Sequence, residues 1–269
     1  MKLSKNIAYY AMAMGLTGLS LFVSIPIMSK NMELSEFGLV SELILYSTIG
    51  ATVVLFASNS FISVKYHKLD NLKFSEYFST LFSFLIAVGT LSSIISLCIA
   101  NLITENQFYI FFVPTIFLLA TNVLIYSYLQ TAEQAKQFFI SKLILSIFDF
   151  SALVVFIYYT DLGHYSKLLS WNLGLLVSLV YLLTVTKNVI FIFFDIKKLY
   201  TIIKFCSVLI PHVVIGTLAS NLDRTMFKFA SSISEFAVYS ATFTFVSISL
   251  LMVEPINKVF APIIFKLLK

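Results

Sequence analysis

Charge is what this sequence lacks most. Lysine, arginine, aspartate and glutamate make up 12% of its 269 residues, against about 25% in a soluble domain. Hydrophobic residues reach 59% and the mean hydropathy is +0.95. A water-soluble fold of this length cannot hide so much apolar surface, so much of it must face lipid. Glycine and proline are scarce, at 8 and 5, which excludes low-complexity sequence. The two cysteines, Cys98 and Cys206, sit in apolar runs. They have no metal-ligand spacing and supply no disulfide framework. Phosphate-cradling glycine loops, His/Glu metal motifs and nucleophile elbows are missing too. The connecting loops are too short for a catalytic domain. The chain is therefore expected to be no enzyme and to need no cofactor and no metal.

What is present is a series of long apolar runs. About 20 such residues cross the hydrocarbon core as a helix, and lipid forces backbone groups to bond within the segment. Eight runs qualify, at 7–28, 39–64, 78–102, 108–130, 139–159, 168–187, 205–228 and 237–260. The first follows Lys2 and Lys5. It outruns a signal-peptide core and has no small-x-small cleavage site, so it reads as a transmembrane helix rather than a leader.

The net charge of +5 is a topological signal rather than a nucleic-acid one, because the basic residues fall in short loops between spans. With the N-terminus cytoplasmic, only Lys30, Lys167, Arg224 and Lys228 fall outside. The other fourteen of the 18 basic residues fall inside, a clear positive-inside bias. Both termini are expected in the cytoplasm of a multi-pass protein. Residues 188–204 carry Asp195-Ile196-Lys197-Lys198 and read as a basic, amphipathic cytoplasmic linker; a longer sixth span with a basic end is the alternative.

A repeat follows from the sequence around the second and eighth spans. Ser35-Glu36-Phe37-Gly38-Leu39-Val40-Ser41 matches Ser234-Glu235-Phe236-Ala237-Val238-Tyr239-Ser240 at four of seven positions, at an offset of 199. Six spans separate them, so their orientation is the same, as in parallel repeats about an axis along the membrane normal. The expected fold is thus all-α and integral to the membrane. Six of its eight helices form a complete N-terminal lobe at 1–187, the linker follows at 188–204, and two helices at 205–269 begin a second lobe. About four more helices would complete that lobe.

These residues carry a family resemblance. Pro26, Ser29-Lys30 and Glu36-Phe37-Gly38 in the first repeat, with Pro211, Asp223-Arg224 and Glu235-Phe236-Ala237-Val238-Tyr239-Ser240 in the second, make the chain similar to the polysaccharide (O-antigen repeat-unit) flippases of the multidrug/oligosaccharidyl-lipid/polysaccharide exporter superfamily. The topological likeness covers the whole chain; the motifs cover two short regions. The resemblance implies alternating access by two lobes that move an undecaprenyl-diphosphate-linked oligosaccharide across a bacterial inner membrane, with ion coupling. It departs from the family in the second lobe, which stops at Lys269 and reads as truncated. The expected partners are that lipid-linked oligosaccharide, membrane lipids and other glycan-assembly membrane proteins, with no nucleic acid. An inactive fragment of such a flippase and a multidrug exporter of the same superfamily are the alternatives. A membrane-embedded glycan polymerase or ligase would need a large outer loop, which the sequence does not have.

Charged residues at membrane depth are costly and usually functional. Asp149 lies near the middle of the fifth span. Left unpaired, its carboxyl would titrate upward and suit proton coupling; a hydrogen-bonded packing residue is the plainer reading. Asp223, His212 and Glu42 complete the ion-coupling candidates, with His212 able to titrate near neutrality and Glu42 one turn inside its span. Lys30, Arg224 and Lys228 could hold a diphosphate, for which arginine's planar fork is best suited; snorkelling to headgroups is the alternative. Asn122, Tyr126 and Gln130 recur every four residues and share a helix face, suited to sugar hydroxyls or to interhelical hydrogen bonds.

Overall fold

A computed structural model describes residues 2–100, 112–191, 193–247 and 260. Those residues are helical almost throughout and include no strand. In chain order the helices are α1 (Lys2–Asn31), α2 (Leu34–Leu55), α3 (Ser58–Tyr66), α4 (Asn71–Ala100), α5 (Phe112–Thr131), α6 (Ala135–Tyr159), α7 (Tyr165–Thr186), α8 (Ile196–Ser207), α9 (Ile210–Ser220), α10 (Leu222–Ala230) and α11 (Ile233–Ser247). Six are long and apolar enough to cross a membrane: Lys5–Asn31, Leu34–Leu55, Asn71–Ser96, Phe112–Thr131, Ala135–Tyr159 and Tyr165–Thr186. They coincide with the first six expected spans. A seventh candidate is the pair α8 and α9, bent by 57° at its break.

Three expected boundaries are corrected. The run at 39–64 is not one helix. It breaks at Phe56 and Ala57, whose φ angles are +29° and +59°. The Ser58 hydroxyl donates to the Leu55 carbonyl at 2.5 Å and satisfies an acceptor that the end of α2 leaves free. A two-residue left-handed turn built from apolar residues leaves no mark on hydropathy. The run at 205–228 is likewise divided, among the end of α8, α9 and the start of α10. Finally, Lys167 belongs to the first turn of α7 and not to a loop. The eighth run is described only to Ser247, apart from Phe260; 248–259 lie outside the described residues.

Two compact units divide the chain. The first takes the described residues of Met1–Tyr46, Ala135–Ser178 and Leu218–Phe260; the second takes Ser47–Gln134 and Leu179–Thr217. In the first unit α1 packs along α6, with Tyr10 and Phe138 edge-to-face at 5.1 Å. Its apolar cluster joins Ile25, Met28 and Met32 of α1, Phe37 of α2, Leu153 of α6 and Ala237 of α11. In the second unit Phe74, Phe78 and Tyr128 stack, and Tyr66 meets Phe74 and Tyr128 edge-on.

The sequence repeat is a repeat in structure. Glu36 Oε2 accepts from the backbone N–H of Glu33 at 3.2 Å, and Glu235 Oε2 accepts from that of Ser232 at 2.9 Å. Glu33 and Ser232 are themselves 199 positions apart. Both are the reach-back half of a capping box, which satisfies a donor that a helix start leaves free. In the second copy the Glu235 N–H also bonds the Ser232 hydroxyl at 3.3 Å. The following phenylalanines, Phe37 and Phe236, are both buried.

The two helix starts also touch each other. A Cβ on Gly38 would collide with the Ile233 carbonyl oxygen and come within 2.8 Å of its Cγ1. Only glycine lets α2 approach the α11 backbone this closely. Gly38→Val is expected to lower stability by about 1–3 kcal/mol, as overpacking does; an unchanged thermal midpoint in detergent would show that this contact is not made.

Candidate functional site

The first unit concentrates the charged groups. On α6, Asp149 is 5% exposed. Both of its carboxylate oxygens accept from Lys167 Nζ at 2.7 Å, and Oδ1 also accepts from the Ser170 hydroxyl at 2.9 Å. Lys167 is itself only 2% exposed. Of the two readings of Asp149, the paired, hydrogen-bonded one is what the structure shows, and the partner is a lysine that hydropathy places in a loop.

Small residues bring that pair together. Ser166, Ser170, Gly174 and Ser178 recur every four residues along α7, so they share one face. Ser178 bonds Ser141 of α6 at 2.9 Å. A Cβ on Gly174 would stand 2.9 Å from the Leu145 carbonyl oxygen and 3.1 Å from Asp149 Cβ. Small faces of this kind let helix backbones approach closely in lipid, which is how a residue in the first turn of α7 reaches one in the interior of α6.

A second group surrounds α10. Arg224 and Lys228 are one turn apart and share a face. Lys228 Nζ pairs with Glu42 of α2 at 3.2 Å, so a candidate cation and a candidate coupling carboxylate neutralise one another. Asp223 accepts from the Tyr239 hydroxyl of α11 at 2.8 Å, and Tyr239 stacks on Phe227. Arg224 differs from these. Its guanidinium lies 5.0 Å from the centroid of the Phe243 ring, and its Nε is buried with no hydrogen-bond partner among the described residues. It forms no ion pair among those residues. Lys30, at the end of α1, is exposed.

The remaining candidates fall elsewhere. Asn122, Tyr126 and Gln130 do share a face of α5, but in the second unit, where Asn122 is fully buried and Tyr126 nearly so. Asn122 Nδ2 donates back to the Leu118 carbonyl at 2.9 Å. An apolar cavity of about 320 Å³ lies between α4 and α5, lined by Leu85, Gly89, Pro114 and Phe117 among others, and none of the three lines it. His212 is exposed on α9. No metal-binding cluster occurs among the described residues.

Several residues of this arrangement carried no warning in the sequence. Lys167 and Ser170 are ordinary in type and signalled only by their spacing from Gly174. His164 Nδ1 lies 3.1 Å from Glu36 Oε1, a contact 128 positions apart that no local pattern encodes. Phe243 is one apolar residue among many.

Outside the spans, the Glu235 carboxyl is held below its ordinary value, first by the Ser232 backbone N–H and then by its hydroxyl. A depressed carboxylate stabilises the fold above its unfolded value of about 4.3, and the contribution is lost as pH falls through the lower folded value. Amide exchange at the start of α11 is expected to accelerate on acidification below about pH 4, and to be insensitive to pH-linked cap loss above it. Unchanged protection at acid pH would contradict this capping role.

No family model and no curated protein matches the chain. Solved structures do. A MATE structure in complex with Br-NRF superposes with a TM-score of 0.68 at 15% identity, covering 97% of this chain and 67% of that one. The outward-facing conformation of a multidrug resistance MATE family transporter of the MOP superfamily gives 0.66 at 12%, covering 98% and 65%. A MOP superfamily transporter from Pyrococcus furiosus, described by the reverse polarity of its binding pocket, gives 0.67 at 12%, covering 98% and 63%. The chain therefore has the fold of MATE-type transporters of the MOP superfamily. It spans about two thirds of their length.

Proposed function

We propose that the chain is a membrane transporter of the alternating-access kind that carries an anionic, lipid-linked substrate, an undecaprenyl-diphosphate-linked oligosaccharide, across a bacterial inner membrane. The observation that carries this reading is Arg224. Asp149 and Glu42 are each paired with a lysine, and Asp223 accepts a hydroxyl hydrogen bond. Arg224 is a partly buried cation whose Nε has no hydrogen-bond partner among the described residues, with an aromatic ring beside it. With Asp149 and Glu42 paired to lysines and a guanidinium that forms no ion pair among the described residues, the site favours a diphosphate over a cationic drug, because arginine binds phosphate through paired, charge-assisted hydrogen bonds. In this reading the first six spans are a complete lobe, 205–269 begin a second, and both termini are cytoplasmic.

Ion coupling is assigned to Asp149 through its partner. Proton uptake on the carboxylate removes the charge that holds Lys167, so protonation and helix packing are linked at one place.

Multidrug export is the competing reading, since a multidrug resistance transporter is among the structures of this fold. Expressing the chain in cells that lack their glycan flippase, and separately in cells that lack drug efflux, tests both. Restored glycan export with unchanged drug sensitivity is expected. Drug resistance without glycan export would overturn the proposal.

A further inference from the structure

We propose that α8 is an interfacial helix that binds anionic phospholipid headgroups. The helix has three distinct faces. Leu199, Ile202 and Cys206 are buried in the second unit, where Phe205 meets Phe61 edge-on at 5.4 Å. Ile196, Tyr200 and Ile203, spaced at i, i+4 and i+7, are 69%, 66% and 41% exposed. Lys197 and Lys204, seven residues apart and so on one face, are exposed on the side opposite the buried residues, with the exposed apolar residues between, and form no ion pair among the described residues.

A soluble two-faced helix explains one apolar face, the one packed on the protein. It does not explain why that apolar face continues into an exposed stretch bordered by lysines. That pattern fits a helix lying in the plane of the headgroups, with aliphatic and aromatic side chains in the acyl boundary and lysines among the phosphates. The backbone agrees. α8 is bent by 57° from α9, so the two do not form one straight span. Its first turn is pinned by Asp195, whose carboxylate accepts from the Lys197 and Lys198 N–H groups at 2.8 and 3.4 Å.

Neighbouring charges leave the two lysines available. Lys198 is taken by Glu76 of α4 at 2.6 Å and approached by Asp195 at 3.6 Å. Lys65 of α3 lies over the Phe205 ring at 5.9 Å, which adds a further cation beside α8. Asp70 is paired with Lys73 at 3.7 Å. Lys197 and Lys204 are therefore left to interact with anions from outside the protein. In a membrane protein the lipid headgroup is the source the exposed apolar face selects, since free phosphate has no use for Ile196, Tyr200 and Ile203.

The test uses the full chain carrying Trp171→Phe and Tyr200→Trp, which leaves one indole on the exposed face. It is reconstituted in phosphatidylcholine vesicles containing brominated phosphatidylglycerol or brominated phosphatidylcholine at equal mole fraction. Each surface lysine strengthens anionic-lipid binding by roughly fivefold, so phosphatidylglycerol is expected to associate at least fivefold more strongly than phosphatidylcholine, as read by quenching. Lys197→Gln with Lys204→Gln should bring the ratio close to one. Added inorganic phosphate should leave it unchanged. Equal quenching by the two lipids overturns the proposal, as does a preference that survives removal of both lysines. Loss of the preference to millimolar inorganic phosphate overturns it as well, by showing a free-phosphate site.

Discussion

Replacing Lys167 by methionine is expected to destabilise the protein by about 3–5 kcal/mol, the cost of leaving one member of a buried ion pair without its partner. Asp149 would then be a carboxylate in the packed interior of the first unit, with the Ser170 hydroxyl as its remaining partner. Asp149→Leu should cost a similar amount by stranding the ammonium group. The double variant should recover most of the loss, because a matched apolar pair avoids desolvating either charge. Thermal unfolding of all three variants in one detergent checks this. Additive losses in the double variant would show that the two residues do not act as a pair. Function should not follow stability: with no carboxyl left to protonate, the recovered double variant is expected to fold without ion-coupled transport.

Arg224→Gln should have the opposite profile. Its neighbourhood is partly exposed and it forms no ion pair among the described residues, so insertion and thermal stability should change little. Binding of a diphosphate-bearing lipid should weaken by at least roughly 30-fold, since removing one partner of a desolvated, hydrogen-bonded charge pair costs about 2–5 kcal/mol. Arg224→Lys should retain the charge contribution but lose the paired geometry, leaving an intermediate affinity. If the glutamine variant binds as well as the wild type, Arg224 is not a ligand of the diphosphate.

The legible and illegible parts of this protein divide along physical lines. Six spans could be placed because lipid demands about 20 apolar residues per crossing, a requirement visible residue by residue. The repeat was legible because its glutamates do the same local work, each bonding the N–H three residues earlier. The turn at Phe56 and Ala57 was hidden, since neither residue type signals a positive φ. Arg224 could be singled out as a rare charge beside a family-like motif. That the nearby Glu42 is taken by Lys228 could not, because that pairing spans 186 positions. Lys167 was misplaced by a boundary of a few residues, and with it went the partner of Asp149. The shared face of Asn122, Tyr126 and Gln130 has the right periodicity for a sugar site and for packing alike.

The central claim, an anionic lipid-linked substrate held by Arg224, is tested most directly by equilibrium binding to the purified full chain. Undecaprenyl diphosphate and a lipophilic cationic drug would be titrated against the wild type and Arg224→Gln in the same detergent. Saturable binding of the diphosphate lipid, lost in Arg224→Gln, with no saturable binding of the cation, is the predicted result. Saturable binding of the cation, with none of the diphosphate lipid, would contradict the account.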